Sequence, residues 1–216
     1  AEITIKSDIP DPGLFLGQYF SNYIKKNGIK FDGKVTTARL TSKRPKNAVT
    51  IAVTESAPVS EIVKVLLTRS DNHYAEHLFQ LLEKVEGVNV MEFWKEKGID
   101  VDSLTMKDGS GLSRGDTLSA KLLTDILAYM AERKELKFEE LLPIAGQDGT
   151  VAKFLKETPL SGNARIKSGS MSGIQSYAGY LEKDGKRYAF AIIVNHWNGD
   201  RTDLRNEMEK LLNGLF

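Results

Sequence analysis

The sequence predicts an α+β fold, helices flanking an antiparallel sheet, in a single domain spanning residues 1–216. Two observations lead there. Up to Glu132, apolar residues recur at helical spacing between glycine stops, whereas from Ala164 the pattern changes to three strand-like runs. The last two runs are joined through Lys183-Asp184-Gly185-Lys186, a hairpin signal.

In chain order, Asp11-Pro12 supplies an N-cap and an N1 proline for a helix with Phe15, Leu16, Tyr19, Phe20, Tyr23 and Ile24 on one side, stopped at Gly28. After a polar stretch from Lys30 to Lys46, Ala48 to Val53 reads as a short buried strand. Pro58 opens a helix through Ile62, Val63, Leu66 and Leu67 that ends near Arg69. A second amphipathic run follows Asn72 with Leu78, Leu81, Leu82 and Val85 before Gly87, which places Ser70-Asp71-Asn72 in the connection between two helices. A short helix over Val90 to Lys97 stops at Gly98, and Met106 to Asp116 is a loop rich in Gly and Ser. Leu118 to Glu132 is a helix facing inward through Leu122, Leu123, Ile126, Leu127 and Met130. Strands are expected over Ala164 to Ser170, Ser176 to Glu182 and Arg187 to His196, and a helix over Arg201 to Leu212.

Composition narrows the function. With 30 Lys+Arg against 29 Asp+Glu, and no basic run interleaved with aromatics, nucleic acid is not the expected partner. The absence of cysteine excludes disulfides, thiol catalysis and a Cys-rich metal site, and leaves the compartment open. The longest apolar runs fall far short of a membrane span, and no cofactor motif is present. Residues 1–6 lack the apolar core of a signal peptide, so the chain reads as a mature product or an excised piece.

The chemistry is written in four short segments. Ser70-Asp71-Asn72 begins the first, and Lys167-Ser168-Gly169-Ser170 is the last. Between them stand Asp108-Gly109-Ser110-Gly111-Leu112-Ser113-Arg114 and Ala145-Gly146-Gln147-Asp148-Gly149-Thr150. An ammonium, hydroxyls and a carboxamide are what a serine acyl-transferase site gathers around its nucleophile, to relay protons and to hold a substrate carboxylate and amide. A Ser-x-Asn triplet alone is an ordinary helix-capping turn, and Lys-Ser-Gly alone a solvated strand end, so it is their common order and spacing that carries the reading. The nucleophile of such a site is a serine followed three residues later by lysine. No serine in these 216 residues has that neighbour.

In this order the segments resemble the C-terminal part of the D-alanyl-D-alanine carboxypeptidase/endopeptidase family, the class C low-molecular-mass penicillin-binding proteins, over roughly Ile9 to Leu212. The resemblance implies a penicillin-binding, β-lactamase-like fold, incomplete on its N-terminal side, with residues 30–46 as the remnant or edge of an inserted lobe. It implies a serine peptidase acting on peptidoglycan stem peptides through an acyl-enzyme, acylated by β-lactams when complete, in the periplasm or cell envelope. Ser70 is then part of a proton relay, Asn72 holds a backbone amide of the stem peptide, and Lys167 supplies positive potential for its terminal carboxylate. Ser168, Gly169 and Ser170 line the substrate: Ser168 through its hydroxyl, Ser170 through a backbone N–H in the oxyanion hole. Ser110 belongs to a loop near the cleft, for which a tight structural turn is an equal reading. Ser168 in place of the family's threonine keeps the hydroxyl. The family carries Ser-x-x-Lys in an N-terminal segment, so the chain alone is expected to be catalytically incomplete, and to need that segment or a dimer to cover apolar surface.

Two other readings compete. A non-catalytic module could keep the cleft to bind peptidoglycan or a partner. And His73-Tyr74-Ala75-Glu76-His77 fits H-x-x-E-H, in which two histidines on one helix face ligate zinc, the glutamate is the general base, and a distant carboxylate such as Glu157 completes the site. The ordered serine-site segments favour no metal. His196, beside Trp197 at the end of an apolar strand, is expected to be packed.

Overall fold

The computed structural model describes residues 9–216 apart from 44, 45, 48 and 51, and it divides the chain into two compact units, before and after Glu55.

In the first unit, Asp11 caps helix α1 (Pro12–Lys26) by accepting a hydrogen bond from the Leu14 N–H, as the Asp-Pro signal predicts. The same carboxylate meets Arg39 of the short helix α2 (Ala38–Thr41) at 2.6 Å. The Arg39 hydrogen bond, with the Leu14 amide, holds the Asp11 carboxyl below its ordinary pKa. Gly17 lets the returning chain lie against α1, because a Cβ there would sit 2.7 Å from Val35 Cγ1. The helix stands where it is expected with its apolar side open to solvent, and one expectation, the strand, fails in this unit. Phe15, Leu16, Tyr19, Phe20 and Tyr23 are each more than half exposed. Residues 49, 50, 52 and 53 form no strand, and Val49 and Val53 lie open to solvent; positions 48 and 51 fall outside the described residues. Apolar periodicity reports which side of an element seeks cover, not whether the chain at hand supplies it.

The second unit holds the sheet. Helices α3 (Val59–Arg69) and α4 (Asn72–Gln80) follow one another closely, and α4 runs on into a π-helical turn over Leu81–Val85. Helix α5 (Val90–Glu96) ends as expected before Gly98 at φ +78°. Helix α6 (Ala120–Glu132), capped by Ser119, and the short α7 (Phe138–Leu141) lead to three antiparallel strands in order. These are β1 (Ala164–Met171), β2 (Ile174–Lys183) and β3 (Lys186–Asn195). Both hairpins have two-residue turns, and Asp184 and Gly185, at φ +53° and +70°, fulfil the Asp-Gly signal. Helix α8 (Arg201–Leu215) closes the chain. His196 departs from expectation: it is exposed, at φ +54° in the turn after β3.

The pleat divides the sheet into two faces. Ile166, Tyr177, Leu181 and Phe190 pack with Phe154, Leu155 and the α8 residues Met208 and Leu212 into the main core, where the Phe154 and Tyr177 rings stack at 3.6 Å. On the opposite face Tyr180 packs with Leu127 of α6, Leu142 and Leu67 of α3, and its hydroxyl donates to the Leu127 carbonyl at 2.6 Å. Lys167 pairs across the strands with Ala178, and Ala178 with Ala191. It therefore belongs to this second face, the side of the sheet on which α3 ends.

Candidate active site

Ser70 is the residue at which α3 stops. It takes the left-handed conformation, φ +55° and ψ +53°, and its N–H returns to the Leu66 carbonyl. This conformation is uncommon for a residue with a Cβ and is usually given to glycine or asparagine at helix ends. Asp71 then caps α4 by accepting from the Tyr74 N–H at 3.0 Å. Two helix ends thus fix the triplet, and the Ser70 side chain turns toward β1.

There it meets Lys167, whose ammonium donates to Ser70 Oγ at 2.7 Å, across 97 residues of sequence, and also to the Ser168 carbonyl. Accepting that bond leaves the Ser70 hydroxyl proton free to be donated elsewhere, the arrangement a proton relay needs. Burial lowers the Lys167 pKa from 10.5 to about 8. Its charge therefore switches close to neutral pH.

The depressed pKa gives a testable linkage. The folded value lies below the unfolded one, so between about pH 8 and 10.5 the unfolded chain binds more protons, and stability rises with pH through that window. The cost of the buried ammonium is complete below about pH 8 and fades as pH approaches 10.5. Lys167→Met is expected to raise stability at pH 7 by about 2 kcal/mol, the burial cost less the hydrogen bonds lost. Thermal unfolding of both proteins as a function of pH checks this: the gain should shrink toward pH 10.5, and an undiminished gain or a loss at pH 7 would contradict it.

Ser168 bonds Thr150 Oγ1 through its hydroxyl at 2.7 Å. Gly169 lies close against β2: a Cβ there would sit 2.5 Å from Ser176 Oγ and displace that hydroxyl. The Gly169 carbonyl accepts from Gln175 Nε2 at 3.2 Å and from Ser176 Oγ at 3.5 Å, both on β2. In a trans peptide the N–H that follows points the opposite way, so these contacts aim the Ser170 N–H outward from β1. Hydrogen-bond parity agrees. Ala164 O and Ile166 N are bonded on the outer edge, to Ala145 N and Pro143 O, so alternation sends the Ser168 and Ser170 backbone groups to that side. Segment 143–145 covers the first half of the edge. The half bearing Lys167 to Ser170 makes no backbone–backbone hydrogen bond on that edge among the described residues, and in that sense is open.

Asn72 stands at the first position of α4, exposed, two residues beyond Ser70, and no hydrogen bond joins its side chain to Lys167 among the described residues. Ser110 is engaged in its own loop, where its hydroxyl donates to Asp108 at 2.9 Å. Burial works to raise the Asp108 pKa, but the Ser110 hydroxyl and the N–H groups of Ser113 and Gly111 together bring it below the ordinary value. The loop is moored to α4: Glu76 accepts from the Gly109 N–H at 2.8 Å, and a Cβ on Gly109 would sit 2.3 Å from Phe79 Cβ. The Gly109 N–H, with Gln80, holds the Glu76 carboxyl below its ordinary pKa.

That mooring weighs against the zinc reading, because both Glu76 oxygens accept hydrogen bonds, from Gly109 and Gln80, so the residue that the motif would use as general base serves the helix and its loop. Among the described residues no three His, Asp or Glu side chains gather as metal ligands. A threonine form of the nucleophile spacing does occur, Thr150-Val151-Ala152-Lys153. Lys153 is exposed, and no hydrogen bond joins it to Thr150 among the described residues, so the two are not assembled as a nucleophile and its base.

The chain is similar to several known proteins. The sequence profile of the D-Ala-D-Ala carboxypeptidase 3 (S13) family matches residues 1–215. The chain is 28% identical over 204 residues to the D-alanyl-D-alanine carboxypeptidase DacB of Haemophilus influenzae, covering 88% of this chain and 42% of that protein. It is 28% identical over 214 residues to a D-alanyl-D-alanine carboxypeptidase of an Actinomadura species, covering 92% and 40%. It thus spans about two fifths of the length of these curated relatives. Among solved structures, penicillin binding protein 4 (dacB) of H. influenzae in complex with a β-lactam superposes with a TM-score of 0.86 at 27% identity, covering 96% of this chain and 52% of that one. A predatory endopeptidase of Bdellovibrio bacteriovorus in complex with an immunity protein shares the fold at 20% identity and a TM-score of 0.63, over 74% of this chain and 43% of that one.

Proposed function

The chain belongs to the D-Ala-D-Ala carboxypeptidase 3 (S13) family, and from that premise we propose that it forms the substrate-binding and proton-relay side of a serine-type D-Ala-D-Ala carboxypeptidase or endopeptidase. One observation carries the reading: the 2.7 Å bond from Lys167 Nζ to Ser70 Oγ, which brings two separate segments together beside an open strand edge. The substrate is a peptidoglycan stem peptide, and the parent protein works in the periplasm or cell envelope. No helix among the described residues is long and apolar enough to cross a membrane.

A stem peptide extends along the open half of β1, adding a strand to the sheet. Its terminal carboxylate is drawn by Lys167 and hydrogen-bonded by Ser168, while Asn72 holds a backbone amide. The scissile carbonyl oxygen faces the Ser170 N–H, which supplies one oxyanion donor. A serine followed by x-x-Lys, supplied from outside these 216 residues, gives its proton to that lysine's amine and attacks the carbonyl carbon, and breaking of the C–N bond to the terminal D-Ala leaves the acyl-enzyme. Ser70, holding the Lys167 ammonium, passes a proton to the departing D-Ala nitrogen. Water then hydrolyses the ester.

The test is release of D-Ala from an N-acylated peptide ending in D-Ala-D-Ala, by a protein in which this chain follows a Ser-x-x-Lys segment. Release is expected to be blocked by penicillin and unaffected by a chelator. Activity that a chelator removes and penicillin leaves intact would overturn the proposal.

A further inference from the structure

Thr150 lies outside every role assigned above, yet the structure builds it into the same edge. Its Oγ1 sits 2.7 Å from Ser168 Oγ. It belongs to a 3-10 turn, Gly149–Val151, whose third residue is fully buried in the main core. Its second fixed point is Gly149, at φ +49°, where a Cβ would lie 2.0 Å from the Thr68 carbonyl oxygen. Thr68 precedes Ser70 by two residues on the last turn of α3. The turn is therefore wedged between the end of α3, which presents Ser70, and β1, which presents Lys167 and Ser168. Only a residue without a Cβ lets the two come so close.

We propose that Thr150 is a positioning residue for the candidate carboxylate subsite: its hydroxyl donates to Ser168 Oγ and so turns the Ser168 O–H toward the open edge of β1. The inference rests on the function proposed above and deepens it. A lone serine hydroxyl rotates among three staggered positions and can spend its proton on water. One that accepts from Thr150 keeps its proton for an incoming carboxylate, and the donated bond polarises it further. The subsite is then a relay of two hydroxyls beside the Lys167 ammonium.

The experiment is an NMR titration of the chain with a short N-acetylated peptide ending in D-Ala-D-Ala, as the free acid and as its C-terminal amide. Amide spectra verify the fold of each variant. The wild-type chain is expected to prefer the acid. Thr150→Val, which keeps the shape and removes the hydroxyl, should lower that preference about fivefold, the worth of one hydrogen bond. Ser168→Ala should lower it at least as much, the double variant should lose no more than Ser168→Ala, and Thr150→Ser should retain it. If Ser168→Ala loses the preference while Thr150→Val keeps it, the inference fails and the carboxylate subsite stands. If Thr150→Ser loses as much as Thr150→Val, the role of Thr150 is packing and the inference is again overturned. A wild-type chain that binds acid and amide alike removes the subsite itself, and the inference with it.

Discussion

Incubated with a fluorescent penicillin, the isolated chain is expected to form no covalent adduct, and the same chain placed behind a Ser-x-x-Lys segment is expected to label stoichiometrically. The serines beside the cleft lack what acylation requires. Ser70 accepts from the Lys167 ammonium, the form that prevails below about pH 8, and not from a base that could take its proton. Ser168 is held by another hydroxyl, Thr150, which cannot deprotonate it. The one oxyanion donor proposed for this chain, the Ser170 N–H, is half of the usual pair, and removing one such donor costs about 3 to 4 kcal/mol in the barrier. Gel fluorescence of the two proteins side by side makes the comparison. Labelling of the isolated chain would mean that a nucleophile lies within these 216 residues.

The second large effect falls on Lys167. In the protein restored by a Ser-x-x-Lys segment, Lys167→Ala should slow penicillin acylation by about 10²- to 10³-fold, the loss expected when a preorganised charge or donor is removed from a water-excluded site. The change deletes a partner of Ser70 and the positive potential beside the edge, but no core contact, since Lys167 lies outside the buried apolar clusters. Circular dichroism should therefore remain native while the rate falls. Its counterpart, the stability gained by Lys167→Met, would show that a buried ammonium is kept at this position at the expense of the fold. An acylation rate within about threefold of the unsubstituted protein's would remove Lys167 from the candidate site.

Much of this was legible in the sequence, for reasons that can be named. Asp11-Pro12, Gly98 and Asp184-Gly185 are local signals whose physics is complete within a few residues, and each appears where it was expected. The pairing of Ser70 with Lys167 followed from motif order alone, because family resemblance stores a contact across 97 residues that no local rule contains. What stayed hidden is nonlocal or conformational. The αL geometry that turns Ser70 toward Lys167 on β1 belongs to a residue whose type does not favour it. Gln175, which helps to aim the Ser170 N–H, reads in sequence as one polar residue in a strand. Glu76 looked like a zinc base because its partner, the Gly109 N–H, lies 33 residues away. His73 and His77 share a helix face, as i and i+4 require, and that spacing alone produced the resemblance to a zinc motif. Residues 49, 50, 52 and 53 misled in the other direction, since an apolar run marks a need for cover without naming what provides it.

The central claim, that these residues receive the substrate and relay its protons while the attacking serine comes from outside them, is tested most directly by mapping the adduct. The chain joined to a Ser-x-x-Lys segment is labelled with penicillin, digested, and sequenced by mass spectrometry. The account predicts the added mass on the serine of Ser-x-x-Lys, with the peptides containing Ser70, Ser110, Ser168 and Ser170 unmodified. Added mass on any of those four peptides would contradict it.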